Sequence, residues 1–219
     1  MNEYSEILKI YSDAYYSIYC GVADMETWPQ LEAAEQFLEK YWMLEKTYDD
    51  VWFPIFERIF GDIGYSVSEV QFPEQYVVGL MLGGCLFLES DYLAFTKYLL
   101  SIGEAEFAIV RFNNSAQFVD TGIRLVFPVG TSWEEFMSGG FVSKLVAFGT
   151  IGACFVVGRS GNWGIFTDND AWYPYIAIGN DRLLRKEMEL AFGAQMKEFS
   201  FDSERLPRRL RRQVINGIG

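Results

Sequence analysis

The chain has 219 residues, of which 50% are apolar and 17% aromatic; this suffices to bury a sizeable core in one domain or two tightly packed subdomains and excludes a disordered or fibrous protein. It contains no histidine, so Ser-His-Asp and Cys-His catalysis and imidazole-based zinc sites are ruled out. The formal charge of −12 is lopsided: residues 1–97 carry 17 acidic and 5 basic side chains, whereas residues 98–219 carry 13 of each.

An acidic half of this kind repels nucleic acid, disfavours anionic membranes and attracts a basic partner, or serves solubility alone. Cys20, Cys85 and Cys154 are far apart and in apolar contexts, which fits neither a disulfide framework nor a cysteine-rich metal site and suits a reducing compartment. The first twenty residues have no cationic segment followed by a clean apolar run, so they do not read as a signal peptide, and a cytoplasmic protein is expected.

Taken in order, Ile7, Leu8, Tyr11, Tyr15, Ile18 and Tyr19 recur at helical spacing, predicting an amphipathic helix over 3–20 that stops at Gly21. Thr27-Trp28-Pro29-Gln30 is a capping box with proline in the first turn, opening a second helix to about Lys46. A third helix is expected from Asp49-Asp50 to Gly61, with Pro54 tolerated in its first turns. Pro73 to Leu88 is nearly all apolar, and its apolar stretch, Tyr76 to Leu88, is too short to span a bilayer. It reads as a buried central helix, with Gly79 and Gly83 as a close-packing pair. Ser90-Asp91 then caps a helix over 92–101, ended by Gly103.

From Glu104 the period changes. Strands are predicted at 107–112 and 121–129, followed by a short helix at 131–137 capped by Thr131 with Glu134; residues 141–149 suit either strand or helix. Residues 151–180 read as a three-strand meander with turns at Arg159-Ser160-Gly161-Asn162 and Asp168-Asn169-Asp170, one face of which the rest of the chain has to cover. Asp181 caps a last helix to about Phe192. The tail holds five arginines between Arg205 and Arg212, with Leu206, Leu210 and Val214 four apart, and is expected either to fold back on the acidic half or to remain solvated.

The fold class is thus α+β: an N-terminal helical half packed on a C-terminal antiparallel β-sheet with flanking helices. The divisions are an acidic helical subdomain over 1–103, a sheet subdomain with short helices over 104–202 and a basic tail or short helix over 203–219.

No ligand template fits. Gly158-x-x-Gly161-x-x-Gly164 turns between strands rather than entering a helix, so it is neither a dinucleotide fingerprint nor a phosphate loop. The calcium-loop start at Asp168 lacks glycine at its sixth position (Tyr173) and glutamate at its twelfth (Gly179). Glu134 and Glu135 are adjacent on a helix, point apart, and are explained by capping and the helix dipole. No catalytic residue, cofactor or metal is assigned. The helical half does combine its carboxylates with Tyr4, Tyr11, Tyr15, Tyr16, Tyr19, Tyr41, Trp42, Tyr48 and Trp52, residue types favoured as interface anchors.

The segments FPVGTSWEEFMSGGF (127–141), FVVGRSGNWGIFTDND (155–170) and IAIGND (176–181) resemble, in their aromatic and glycine spacing over about residues 105–181, bacterial immunity proteins encoded beside polymorphic toxins. The resemblance implies a non-catalytic cytoplasmic protein that occludes the active site of one cognate toxin, and the acidic half suits a basic one. The residues expected to touch the partner are Asp49, Asp50, Trp52, Glu57 and Asp62 of the helical half, or Arg159, Asn162, Asp168 and Asp170 of the hairpin tips. The alternatives are a small enzyme using carboxylates and Mg²⁺, and a regulatory or scaffold module.

Overall fold

The computed structural model describes residues 8, 27–61, 71–82, 86–112, 122–148, 153–168, 175–198, 210 and 213–214. Of the helix predicted over 3–20, only Leu8 falls within them; it is helical and buried.

The centre of the fold is a six-stranded sheet, every neighbouring pair antiparallel: β1 (Tyr76–Leu82), β2 (Glu106–Phe112), β3 (Ile123–Pro128), β4 (Ala153–Gly158), β5 (Trp163–Asp168) and β6 (Tyr175–Asp181). The spatial order is β1-β6-β5-β4-β2-β3. The predicted meander is β4-β5-β6, in consecutive register.

The helices are α1 (Thr27–Tyr41), α2 (Glu45–Thr47), a π-helical turn (Tyr48–Trp52), α3 (Phe53–Phe60), α4 (Glu89–Ser101), α5 (Trp133–Phe136), α6 (Gly140–Phe148) and α7 (Arg185–Glu198), the last preceded by a 3₁₀ turn (Arg182–Leu184). The α+β class therefore holds.

Both faces of the sheet are covered, not one. On the first face, Phe107, Ile109, Leu125, Phe127, Val156, Trp163, Ile165 and Ile178 pack beneath α1, α4, α5, α6 and α7 through Phe37, Tyr41, Phe95, Tyr98, Phe136, Val142, Met188 and Phe192. On the second, Val78, Leu80, Val110, Phe155, Val157 and Phe166 pack against Trp52, Ile55, Phe56, Ile59, Phe60, Phe72 and Leu210. Because alternate residues of each strand face opposite cores, the strands are apolar on both sides.

That double burial corrects the reading of Pro73–Leu88 as a helix. Tyr76–Leu82 is β1, paired residue by residue with β6. A short all-apolar run carries no periodicity, and the β-branched pair Val77-Val78 sits comfortably on a pleated surface. Gly79 accordingly makes no helix-helix contact; the Met196 side chain of α7 lies where a Cβ would be.

Other departures are local. α1 ends at Tyr41 rather than near Lys46, because Trp42 forms an antiparallel bridge to Leu125 and the Met43 N–H donates to Arg124 O at 2.9 Å. The next helical stretch begins at Glu45 rather than Asp49. Ser132, not Thr131, caps α5, its Oγ accepting from Glu135 N at 3.2 Å. Residues 140–148 resolve as helix, and α7 runs past Phe192 and Gly193 to Glu198. As expected, Asp181 caps the last helical segment, its Oδ1 accepting from Leu183 N at 2.9 Å. The described part of the tail folds back on the sheet: Val214 bridges Val78, and Gln213 bonds both main-chain groups of Phe72.

Candidate functional surface

The turn joining β4 and β5 is held from three directions. Gly161 has φ +63°, the left-handed conformation a tight hairpin needs, and its N–H donates to Gly158 O at 3.0 Å. From beneath, Glu104, which follows α4, accepts from Ser160 N at 3.1 Å, Ser160 Oγ at 2.7 Å and Trp163 Nε1 at 2.9 Å. Glu104 is 8% exposed, and Gly158 makes room for it, since a Cβ there would collide with the carboxylate. From one side Tyr76 Oη donates to Gly161 O at 2.7 Å, and from the other Arg58 Nη2 donates to Ser160 O at 3.0 Å. A buried carboxylate holding three donors fixes such a loop firmly, because charge-assisted bonds strengthen where water is excluded.

Arg58 belongs to α3, so this turn and the helical stretch Glu45–Phe60 form one continuous surface. A second tie is Arg159, whose guanidinium lies 5.5 Å from the Trp52 ring centroid and whose Nε is 3.6 Å from Glu106 Oε1. Farther along the same stretch, Arg124 of β3 stacks on Trp42 and Tyr48 at 5.6 and 5.2 Å. Burial chiefly pushes the Tyr48 hydroxyl up to about 12; Asp49 and Glu57 nearby raise it further while Arg124 opposes them. The three arginines of this surface each have an intramolecular partner, although Arg58 and Arg159 also stand exposed. Asp49, Asp50 and Glu57 are exposed and have no intramolecular ion pair among the described residues.

Of the residues expected at a partner surface, Asp49, Asp50, Glu57, Arg159 and Asn162 thus fall together. Trp52 is corrected. It is 1% exposed, built into the second core beneath Arg159, and cannot touch a partner directly. Asp168 ends β5, the full length of that strand away from the Arg159–Asn162 tip, roughly 17 Å at about 3.4 Å per residue. Asp62 and Asp170 lie outside the described residues, as does the side chain of Asp168. Glu104, Tyr76 and Arg58 were not singled out from the sequence, and no local pattern marks them.

Glu135 is tied to Lys40 of α1, which holds its carboxyl below the usual range; its own backbone N–H, and then Ser132, do the same for Glu134. Among the described residues no group of three or more Cys, Asp or Glu could hold a metal ion, and no helix is long and apolar enough to cross a membrane. Comparison with protein-family models, with curated proteins and with solved structures found no match to this chain.

Proposed function

We propose that this is a non-catalytic cytoplasmic binding protein that captures a basic protein, a toxin domain in the immunity reading, on the surface shared by Glu45–Phe60 and the β4–β5 tip. The observation that carries the proposal is the division of charge there. Arg58, Arg124 and Arg159 each engage a protein partner, Ser160 O, two aromatic rings, and Trp52 with Glu106, while Asp49, Asp50 and Glu57 are exposed and have no ion pair among the described residues. An outward row of carboxylates on a rigid scaffold steers a cationic partner and binds it without first reordering the surface.

The test is capture of the protein encoded beside this one, with association measured as salt is raised. The triple variant Asp49→Lys, Asp50→Lys, Glu57→Lys should slow association about 10-fold or more at low salt, with little change in stability, because the three side chains are exposed. Glu32→Lys, Glu35→Lys, Glu39→Lys on α1, which packs on the opposite face of the sheet, is the control. Equal loss from both triples would reduce the effect to net charge. Normal binding by the first triple would remove this surface from consideration.

A further inference from the structure

Six large apolar side chains stand exposed among the described residues, and four of them fall on two neighbouring helical elements. Leu93 and Leu100 of α4 are 54% and 65% exposed; Leu183, in the 3₁₀ turn that leads into α7, and Leu190 of α7 are 87% and 79% exposed. Within each pair the leucines are seven residues apart, about two turns, so each pair shares a face. The opposite faces are already spent on the first core, through Tyr92, Phe95 and Leu99 of α4 and Met188 and Phe192 of α7. The two helices lie side by side, the Tyr98 and Phe192 rings meeting at 5.7 Å. A helix that covers a core needs one apolar stripe, and a second stripe on its outer side marks a surface that itself takes a cover.

The two ends of this face differ in charge. α4 starts beside the end of α6, where Phe87 N donates to Ala147 O at 3.1 Å, and carries Glu89 exposed and Asp91 half-buried in its first turn. It finishes at the β4–β5 tip, where Glu104 holds Ser160. α7 sets out from the same tip, Asp181 N donating to Asn162 O at 2.8 Å, with Arg182 and Lys186 exposed. The helices are therefore antiparallel, and the face runs from an acidic end, across the leucines, to a basic end. A two-fold axis across the helices brings the acidic end of one copy to the basic end of another and stripe onto stripe. Lys97, exposed between Leu93 and Leu100, can lay its stem along the leucines and keep its ammonium at the rim. Helices of 13 and 14 residues offer a patch of roughly 20 by 20 Å, the size of a small, reversible interface. We propose that the outward α4–α7 face is a self-association surface, on which a second copy of this chain packs its own four leucines about a two-fold axis.

Sedimentation velocity of the full-length protein between about 1 μM and 1 mM should show a monomer passing to a dimer. Leu100→Glu with Leu190→Glu should weaken that dimer about 10-fold or more while leaving the urea midpoint in place, because both side chains are exposed. Leu44→Glu, at an exposed leucine away from this face, should dimerise unchanged. The geometry has its own check: Glu89→Lys alone and Arg182→Glu with Lys186→Glu alone should each weaken the dimer, and all three together should restore it. A monomer at every concentration would overturn the proposal, and a lowered urea midpoint in the leucine variant of that monomer would assign the face to a cover from the chain itself. A dimer indifferent to the leucine variant, or one that the combined charge variant fails to restore, would overturn it too.

Discussion

At the scale of single residues, Glu104 decides the shape of the β4–β5 tip. Its carboxylate accepts from both ends of the turn, Ser160 and Trp163, and Gln in its place keeps the volume but turns one acceptor into a donor. Glu104→Gln should therefore cost about 2–3 kcal/mol, read as a lower urea midpoint, and should shift the Trp163 indole N–H resonance. An unchanged midpoint and resonance would show that the carboxylate does not hold the turn. Gly161→Ala strikes the same turn from the backbone. A Cβ there is strained at φ +63° and would overlap the Arg58 guanidinium, so a loss of about 1–2 kcal/mol, or more if Arg58 is displaced, is expected in thermal unfolding. The turn itself was legible in the sequence, because Ser160-Gly161-Asn162 is local chemistry. The role of Glu104 was not, because its partners lie 56 and 59 residues away and it is one of 30 acids. Trp52 was misplaced for a different reason. Its residue type suits an interface anchor, whereas its helical spacing to Ile55, Phe56, Ile59 and Phe60 is that of the buried face on which it sits.

At the scale of elements, the sheet's two edges are each guarded by chain from outside the predicted sheet segment. Trp42-Met43 lies along β3, and Val214 bridges Val78 of β1. Open edges invite pairing with other chains, so these short contacts limit association while also fixing α1 and the tail. Leu210, four residues before Val214, is 0% exposed in the second core. Leu210→Ala should cost about 2–5 kcal/mol, measured by denaturant unfolding. A loss of only a few tenths would mean that the tail does not contribute to that core. The amphipathic helices were readable because each shows a period, and the C-terminal strands because turn residues bound their short apolar and β-branched runs. β1 was not, since its apolar run continues to Leu88 at helix length, and its partner β6 lies about a hundred residues downstream. The expected division at residue 103 meets the same fact, for β1 carries the sheet into the N-terminal segment.

At the scale of the whole molecule, two aromatic cores flank one sheet and take up Tyr41 and Tyr48, the tyrosines offered as interface anchors that fall among the described residues, together with further tyrosines. Tyr41, Tyr76, Tyr92 and Tyr98 are buried, and Tyr48 packs at the margin of the second core. Burial is the leading cause of the raised ionisation of all five, with Tyr48 and Tyr76 pushed up to about 12. On the acid side the shifts resolved among described carboxylates are those of Glu134 and Glu135. Both groups lie at the surface, where solvent screening keeps their contribution small. The alkaline limb should therefore govern how stability varies with pH. An unfolded tyrosine releases its proton near 10, whereas folded Tyr48 and Tyr76 retain theirs to about 12 and the other three are raised in the same direction, so the folded chain binds more protons in that interval. Stability should be unaffected by these groups below about pH 10 and should fall progressively as pH rises from 10 through 12. Tyrosinate absorbance and circular dichroism recorded on one sample make the check. The absorbance of these buried tyrosines should appear together with loss of structure; their reversible ionisation near 10 with the fold intact would show that the two cores admit solvent and do not hold these rings as described.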